Sequence, residues 1–187
     1  MNKIKFLLIF GFVFQLGACA QSYSLIKTER VGVNDTYSVH PKINWNQLKD
    51  GTGVVVWTAY GTMLDRVVFI SNIKDGATIF GDDKTNVYKN DMNEVEIAEL
   101  FIESMMNFGK WPDGKFNNLK KQKHGPFDGF NFDITFLNPD SLSYKGTASG
   151  AIIDKELYLV FFLAAEIYFH DNLRDEFLNI ISSIQKL

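Results

Sequence analysis

The chain has 187 residues, of which 22 are acidic and 19 are basic, and its formal net charge at pH 7 is −3. This mildly acidic balance disfavours nucleic-acid binding, which rewards a concentrated basic face. A single cysteine excludes an intramolecular disulfide, so the fold must rest on a hydrophobic core, for which 17 phenylalanines supply large side chains.

The first residues have the layout of a cleaved signal peptide. Lys3 and Lys5 give a positive start, an apolar stretch over residues 6–14 follows, and small residues precede Cys19. The apolar stretch is shorter than the roughly 20 residues that a membrane-spanning helix needs, which disfavours a permanent transmembrane anchor. We therefore predict that residues 1–18 are removed.

The run Leu16-Gly17-Ala18-Cys19 resembles the lipobox of bacterial lipoproteins. The resemblance implies cleavage between Ala18 and Cys19, a diacylglyceryl group on the Cys19 thiol, and an acyl chain such as palmitate on its new amine. Two or more acyl chains hold a protein stably at a membrane. By the same resemblance, Ala20 favours the outer membrane, with the protein facing the periplasm. The alternative is an ordinary secretory signal in which the cysteine is incidental.

The remaining chain is predicted to contain one domain. Residues 19–34 lack a sustained apolar period and are expected to form the lipidated N-terminus and a tether. Residues 35–187 have the length of a single domain that can bury most of its apolar surface. The acidic balance gives no attraction to anionic lipid, so membrane attachment is expected to depend on the acyl chains.

Strand signals open this domain, and a helix follows. Residues 37–40 read as a short strand, while residues 54–60 and 64–70 are apolar on both faces and closely linked, which predicts a hairpin in a covered sheet. Residues 94–108 have apolar side chains at helical spacing. For this helix, Asn93 and Glu96 are predicted to form a capping box and Gly109 to end it.

Strand signals return after the helix. Residues 130–136 alternate apolar with polar side chains, which predicts a strand with one solvent-facing side. Asp171 is predicted to cap a terminal helix with an apolar face. Further strands are predicted over residues 116–123, 142–153 and 157–165, the last of which is apolar on both faces like a central strand.

The order of these elements predicts an α+β domain, with a single antiparallel sheet of about six or seven strands and both helices packed on it. This order resembles the PsbP-like fold, which is shared by an extrinsic photosystem II protein, a Ran-binding nuclear import factor and many small bacterial lipoproteins. A local resemblance to a group of bacterial envelope lipoproteins without an assigned activity rests on Trp57-Thr58, Gly61, Leu64, Asp75-Gly76 and Phe80. The resemblances imply fold and location and transfer no catalytic residue.

The three histidines are far apart in the sequence. His40, His124 and His170 lie outside any metal-ligand spacing, and each is predicted to be a surface histidine. His170 and Asp171 have a spacing that could orient an imidazole for acid–base chemistry, although the helix cap explains Asp171 better. A hydrolase that uses residues such as Asp133 and His170 is therefore the third functional hypothesis.

Other spacings also argue against catalysis or metal binding. Ser149 lacks the preceding glycine of a nucleophile elbow and is interpreted as part of a strand of small residues. Asp82-Asp83 with Asn86 lacks the oxygen spacing of a calcium loop and is interpreted as a solvated turn. We therefore expect no metal and no cofactor.

Aromatic residues admit two interpretations. Those on predicted strands form a core or line a pocket for an apolar ligand: Trp57, Phe69, Phe130, Phe132, Phe136, Tyr158, Phe161 and Phe162. Trp111 follows the first helix in a turn-rich segment. There it anchors a protein partner or folds back as a lid on the core. Trp57 is the second candidate contact for a partner or ligand.

These patterns favour a membrane-anchored envelope lipoprotein that acts as a non-catalytic accessory or binding protein for another envelope protein. The alternative is a carrier or sensor of a small apolar ligand or lipid, which the phenylalanine-rich strands suggest.

Overall fold

The computed structural model describes residues 22–49, 54–81, 85–138 and 140–187. Strands and helices follow one another in the order β1 (Ser22–Ile26), β2 (Val31–Val33), β3 (Tyr37–Val39), β4 (Trp45–Lys49), β5 (Val55–Thr58), β6 (Asp65–Ile73), α1 (Glu94–Gly109), β7 (Lys115–Lys121), β8 (Phe130–Leu137), β9 (Ser143–Ile153), β10 (Glu156–Ala165), α2 (Phe169–Ser182) and β11 (Gln185–Lys186).

The strands form two antiparallel sheets. The larger has eight strands in the order β1-β4-β5-β6-β10-β9-β8-β7, and the smaller has three in the order β11-β3-β2. The predicted hairpin is the β5–β6 pair, and β10 lies in the middle of the larger sheet as its two apolar faces predict. The α+β class is confirmed. The predicted single sheet of about six or seven strands is wrong, because the structure has two sheets and the larger alone has eight strands. Short strands such as β1 and β4 carry many polar residues and give little apolar alternation from which to predict them.

The folded part begins nearer the N-terminus than predicted. β1 pairs with β4 along its whole length, and β2 pairs with β3. Strands thus occupy much of the tether expected over residues 19–34, starting at Ser22. These strands could not be predicted from the sequence because they lack an apolar pattern of their own. Pairing with another segment holds them in place.

α1 begins as predicted. The Asn93 side chain accepts hydrogen bonds from two backbone N–H groups of the first turn, and the Glu96 carboxylate accepts one from the Asn93 N–H, which completes the capping box. At the other end Lys110, with φ of 54°, takes the left-handed conformation. Gly109 is required for another reason, because a Cβ on it would overlap the Trp111 indole.

The two helices pack on opposite faces of the larger sheet. α1 covers one face through Ile97, Phe101 and Met105, which join a core layer with Phe132 and Phe161. α2 covers the other face with its buried residues Leu173, Phe177, Ile180 and Ile181. The predicted apolar face of α2 is confirmed, and Ile184 extends it beyond the last turn.

Asp171 does not cap α2. The helix begins after Tyr168, which makes no side-chain capping bond, and Asp171 lies inside the first turn. There its carboxylate meets the Nδ1 atom of His170 at 2.8 Å. An acidic residue inside the first turn still interacts favourably with the helix dipole, and for this reason a cap and a first-turn residue look alike in sequence.

Candidate functional site

A polar groove opens on the α2 side of the larger sheet. It has a volume of about 500 Å³ and lies between the outer strands and α2. The lining residues are Asn118, Leu119, Lys120, Gln122, Asn131, Asp133, Thr147, Arg174 and Leu178. Most of them carry an amide, a hydroxyl or a charge, so the groove presents hydrogen-bonding groups on a sheet face that is apolar elsewhere.

Asp133 supplies the carboxylate of the groove lining. Its Oδ2 accepts a hydrogen bond from Asn118 Nδ2 at 2.8 Å, and its Oδ1 accepts one from Thr147 Oγ1 at 3.1 Å. Asp133 and Thr147 are direct cross-strand partners on β8 and β9, while Asn118 has a left-handed φ of 53° at a register break in β7. These bonds fix the carboxylate as a hydrogen-bond acceptor.

Asn131 forms the floor of the groove two residues before Asp133. It is buried, and its Nδ2 donates to Gln122 Oε1 at 2.8 Å. Its Oδ1 is buried and has no hydrogen-bond partner among the described residues. An unmet buried acceptor carries a free-energy cost. Because this Oδ1 has no exposed surface, it lies beneath the groove, and the exposed groups of the lining are the ones that a ligand could contact.

His124 lies beside this floor and is not a surface histidine. Only 1% of it is exposed, and its Nδ1 lies 3.0 Å from the Oγ of Ser149, the cross-strand partner of Asn131. Burial lowers the pKa of His124 to about 4, because the charged imidazolium loses its hydration. The sequence interpretation missed this pair, since Gly125, with φ of +60°, turns the β7–β8 link and no local pattern predicts that His124 folds inward.

His170 and Asp133 do not share a site. His170 stacks on Phe162 at 5.9 Å between ring centroids and pairs with exposed Asp171, and it is not among the groove residues. Ser149 lies on β9 as the interpretation of a small-residue strand requires, and both Ser149 and His124 are buried. A nucleophile must be able to reach its substrate, so this buried pair lacks the access that a hydrolase needs.

The two candidate tryptophans occupy different places. Trp57 is fully buried in the α2-side core, where its ring meets Phe69 edge-on at 4.8 Å, so it offers no surface to a partner. Trp111 is half-buried and packs edge-on against Tyr144 at 4.8 Å between centroids. Arg66 lies over the same indole at 5.1 Å. These contacts agree with the interpretation in which Trp111 folds back as a lid on the core, rather than with its use as a partner anchor.

The strand aromatics pack against one another. Phe101 of α1 meets Phe80, Phe132 and Phe161 edge-on, with centroids between 5.2 and 5.8 Å apart. The space between α1 and the sheet is thereby filled by protein side chains at the place where an apolar ligand would lie. This packing agrees with the interpretation of the strand aromatics as core residues.

Some predicted features fall outside the description. Ala18 and Cys19, the whole signal segment and Asp82-Asp83 lie outside the described residues. Within the described ranges, no three His, Cys, Asp or Glu side chains gather in a metal-binding group. Nor does this part of the chain contain a helix with the length and apolar character needed to cross a membrane.

Comparison with known proteins rests on structure, because neither a family model nor a curated protein sequence matches the chain. The solution structure of cyanobacterial PsbP (CyanoP) from Synechocystis superposes with a TM-score of 0.58 at 14% identity, covering 91% of this chain and 96% of that one. The chain has a PsbP-like fold.

A second similar structure is a crystal structure of a protein from Bacteroides thetaiotaomicron. It has a TM-score of 0.51 at 10% identity, and the match covers 87% of this chain and 49% of the other. At identities this low, the two superpositions show the fold alone.

Proposed function

We propose that the protein is an envelope lipoprotein, anchored through Cys19 to the outer membrane and facing the periplasm, that binds another envelope protein without catalysis. The observation that carries the binding role is the polar groove, with its fixed Asp133 carboxylate and the exposed Lys120 and Arg174. The anchor rests on the lipobox-like run before Cys19.

The chemistry of the groove suits a polypeptide segment. Asn118, Gln122 and Asn131 carry amides, which both donate and accept hydrogen bonds as backbone peptide groups do. Lys120 and Arg174 add two exposed cations that form no ion pair among the described residues. The matching partner segment presents backbone N–H and C=O groups to the exposed amides of Asn118 and Gln122, and a carboxylate to the two cations.

The same geometry supports binding over catalysis. Both oxygens of Asp133 are held by donors from the protein, and the groove lining contains no histidine. General acid–base chemistry requires a titrating group within reach of the substrate, and the buried pair of His124 and Ser149 is closed to solvent.

Site-specific photo-crosslinking in the native envelope tests the binding role. A photoreactive amino acid at Asn118 is expected to capture one envelope protein, whereas the same probe at Lys155, in the exposed turn between β9 and β10, captures none. Arg174→Ala should abolish the Asn118 adduct and Asp175→Ala, the adjacent exposed position, should retain it. Identical adducts from both probe positions would contradict the assignment of the groove.

Intact-mass measurement tests the anchor separately. Protein extracted from the envelope should start at Cys19 and carry the mass of a diacylglyceryl group and a further acyl chain. Cys19→Ser should appear unacylated, because the serine hydroxyl does not replace the thiol in this modification. An unmodified Cys19 in wild-type protein would refute the anchor and leave the crosslinking result standing.

A further inference from the structure

The first strand of the sheet starts very close to the proposed anchor. β1 begins at Ser22, three residues after Cys19, and pairs with β4 over its full length. Three residues of fully extended chain span about 10 Å. The acylated cysteine therefore has no room for a long tether, and the start of β1 is held within about 10 Å of the lipid headgroups.

β1 is also one of the two edges of the larger sheet, and the two edges differ in chemistry. β7, at the far edge, carries Lys115, Lys120 and Lys121 and a register break, which are typical protections against unwanted strand pairing. β1 has the sequence SYSLI, which contains no charge. An edge without such protection is commonly covered by something else.

The apolar side chains of β1 lie where a membrane would meet them. Tyr23 and Leu25 alternate with Ser24 and so share one face of the strand, with 41% and 57% of their surfaces exposed. Exposed Lys27 follows the strand directly, and exposed Lys49 is the cross-strand partner of Ser22. Apolar side chains between lysines are the combination that an interfacial surface uses.

We propose that the domain rests on the bilayer through β1, with Tyr23 and Leu25 at the headgroup boundary and Lys27 and Lys49 beside the lipid phosphates. This inference rests on the proposed anchor at Cys19. The occupant of the β1 surface is the same membrane that holds the acyl chains, because the chain length between anchor and strand leaves it within reach. The outer edge β7 then points away from the membrane.

Fluorescence quenching by lipid tests this orientation. The single native cysteine is blocked once it is acylated, so Leu25→Cys and Lys115→Cys each provide one free thiol for a fluorophore. Position 115 is the matched control, since seven strand spacings of about 4.8 Å place it about 34 Å from β1 across the sheet. The acylated full-length proteins are placed in phosphatidylethanolamine vesicles with some phosphatidylglycerol and a headgroup-nitroxide lipid.

The label at position 25 should lose most of its emission and the label at position 115 almost none. A label at Tyr23→Cys should behave like that at position 25, which guards against a local disturbance at one site. Equal quenching at 25 and 115, or none at either in protein whose mass shows acylation, would overturn the proposed orientation alone. Protein without the acyl mass would refute the anchor itself, so the two failures are distinguishable.

Discussion

The two faces of the larger sheet differ in what they bury. On the α1 side, Phe101 lies among Phe80, Phe132 and Phe161, and Trp111 packs at the end of this aromatic layer. On the α2 side, apolar residues lie under the helix and polar ones line the groove over the outer strands. One sheet thus carries a sealed core on one face and hydrogen-bonding groups on part of the other. Substitutions on the two faces should therefore separate effects on stability from effects on the proposed binding role.

The largest effect is expected from opening the aromatic face. Phe101→Ala removes a fully buried ring with three aromatic neighbours and should lower the free energy of unfolding by about 3–5 kcal/mol. Chemical denaturation measures this change. Phe108→Ala, the same substitution at a 65% exposed position of α1, is the control and should cost far less. Equal costs would show that the face is not tightly packed.

A pH-dependent effect is expected on the other face. Because His124 has a pKa of about 4 when folded and 6.5 as its ordinary value, the unfolded chain binds the extra proton first as pH falls. The stability tied to neutral His124 is present above pH 6.5 and is lost progressively down to about pH 4, amounting to about 3 kcal/mol.

Denaturation of wild-type protein and His124→Gln across this pH range tests the expectation. The free energy of unfolding of the variant should depend less steeply on pH, because its buried side chain no longer takes up a proton. Carboxylates whose pKa values are lowered by lysines, such as Glu166, remain in both proteins and cancel in the difference. An unchanged slope in the His124 variant would argue that this residue is hydrated.

The substitution Trp111→Ala distinguishes the two interpretations of Trp111, a lid on the core and a contact for a protein partner. Removing the half-buried indole should cost about 2 kcal/mol, since contacts with Tyr144 and Phe136 are lost on the α1 face. Thermal unfolding measures the cost. Crosslinking from Asn118 should persist in this variant, because the groove lies on the opposite face. Unchanged stability together with a lost adduct would identify Trp111 as a partner anchor.

The smallest change in stability is expected inside the groove. Asp133→Ala should cost about 1–2 kcal/mol, because Asn118 and Thr147 each lose a hydrogen-bond acceptor in a partly hydrated place. Urea denaturation gives the value, and Asp175→Ala on exposed α2 surface should lie near zero. A loss of unfolding free energy as large as that of Phe101→Ala would mean that Asp133 is part of the structural core.

Much of the fold was predictable because its signals are local. The capping box at Asn93 and Glu96 fixes the start of α1, and the doubly apolar sequence of β10 indicates a central strand. The sequence also supplied Asp133 as a polar residue of β8. Its neighbours in the groove come from β7, β9 and α2, and their approach depends on register and packing that no local pattern encodes.

The sequence by itself determined the α+β class, the N-terminal capping box of α1 and the expectation of a lipidated Cys19, since each depends on residue type and spacing along the chain. Only the tertiary structure decided that β1 starts at Ser22, that His124 is buried against Ser149, and that Asp133 shares a groove with Arg174. The physical reason is that these features arise from pairing between distant segments, whose free energy depends on three-dimensional contact.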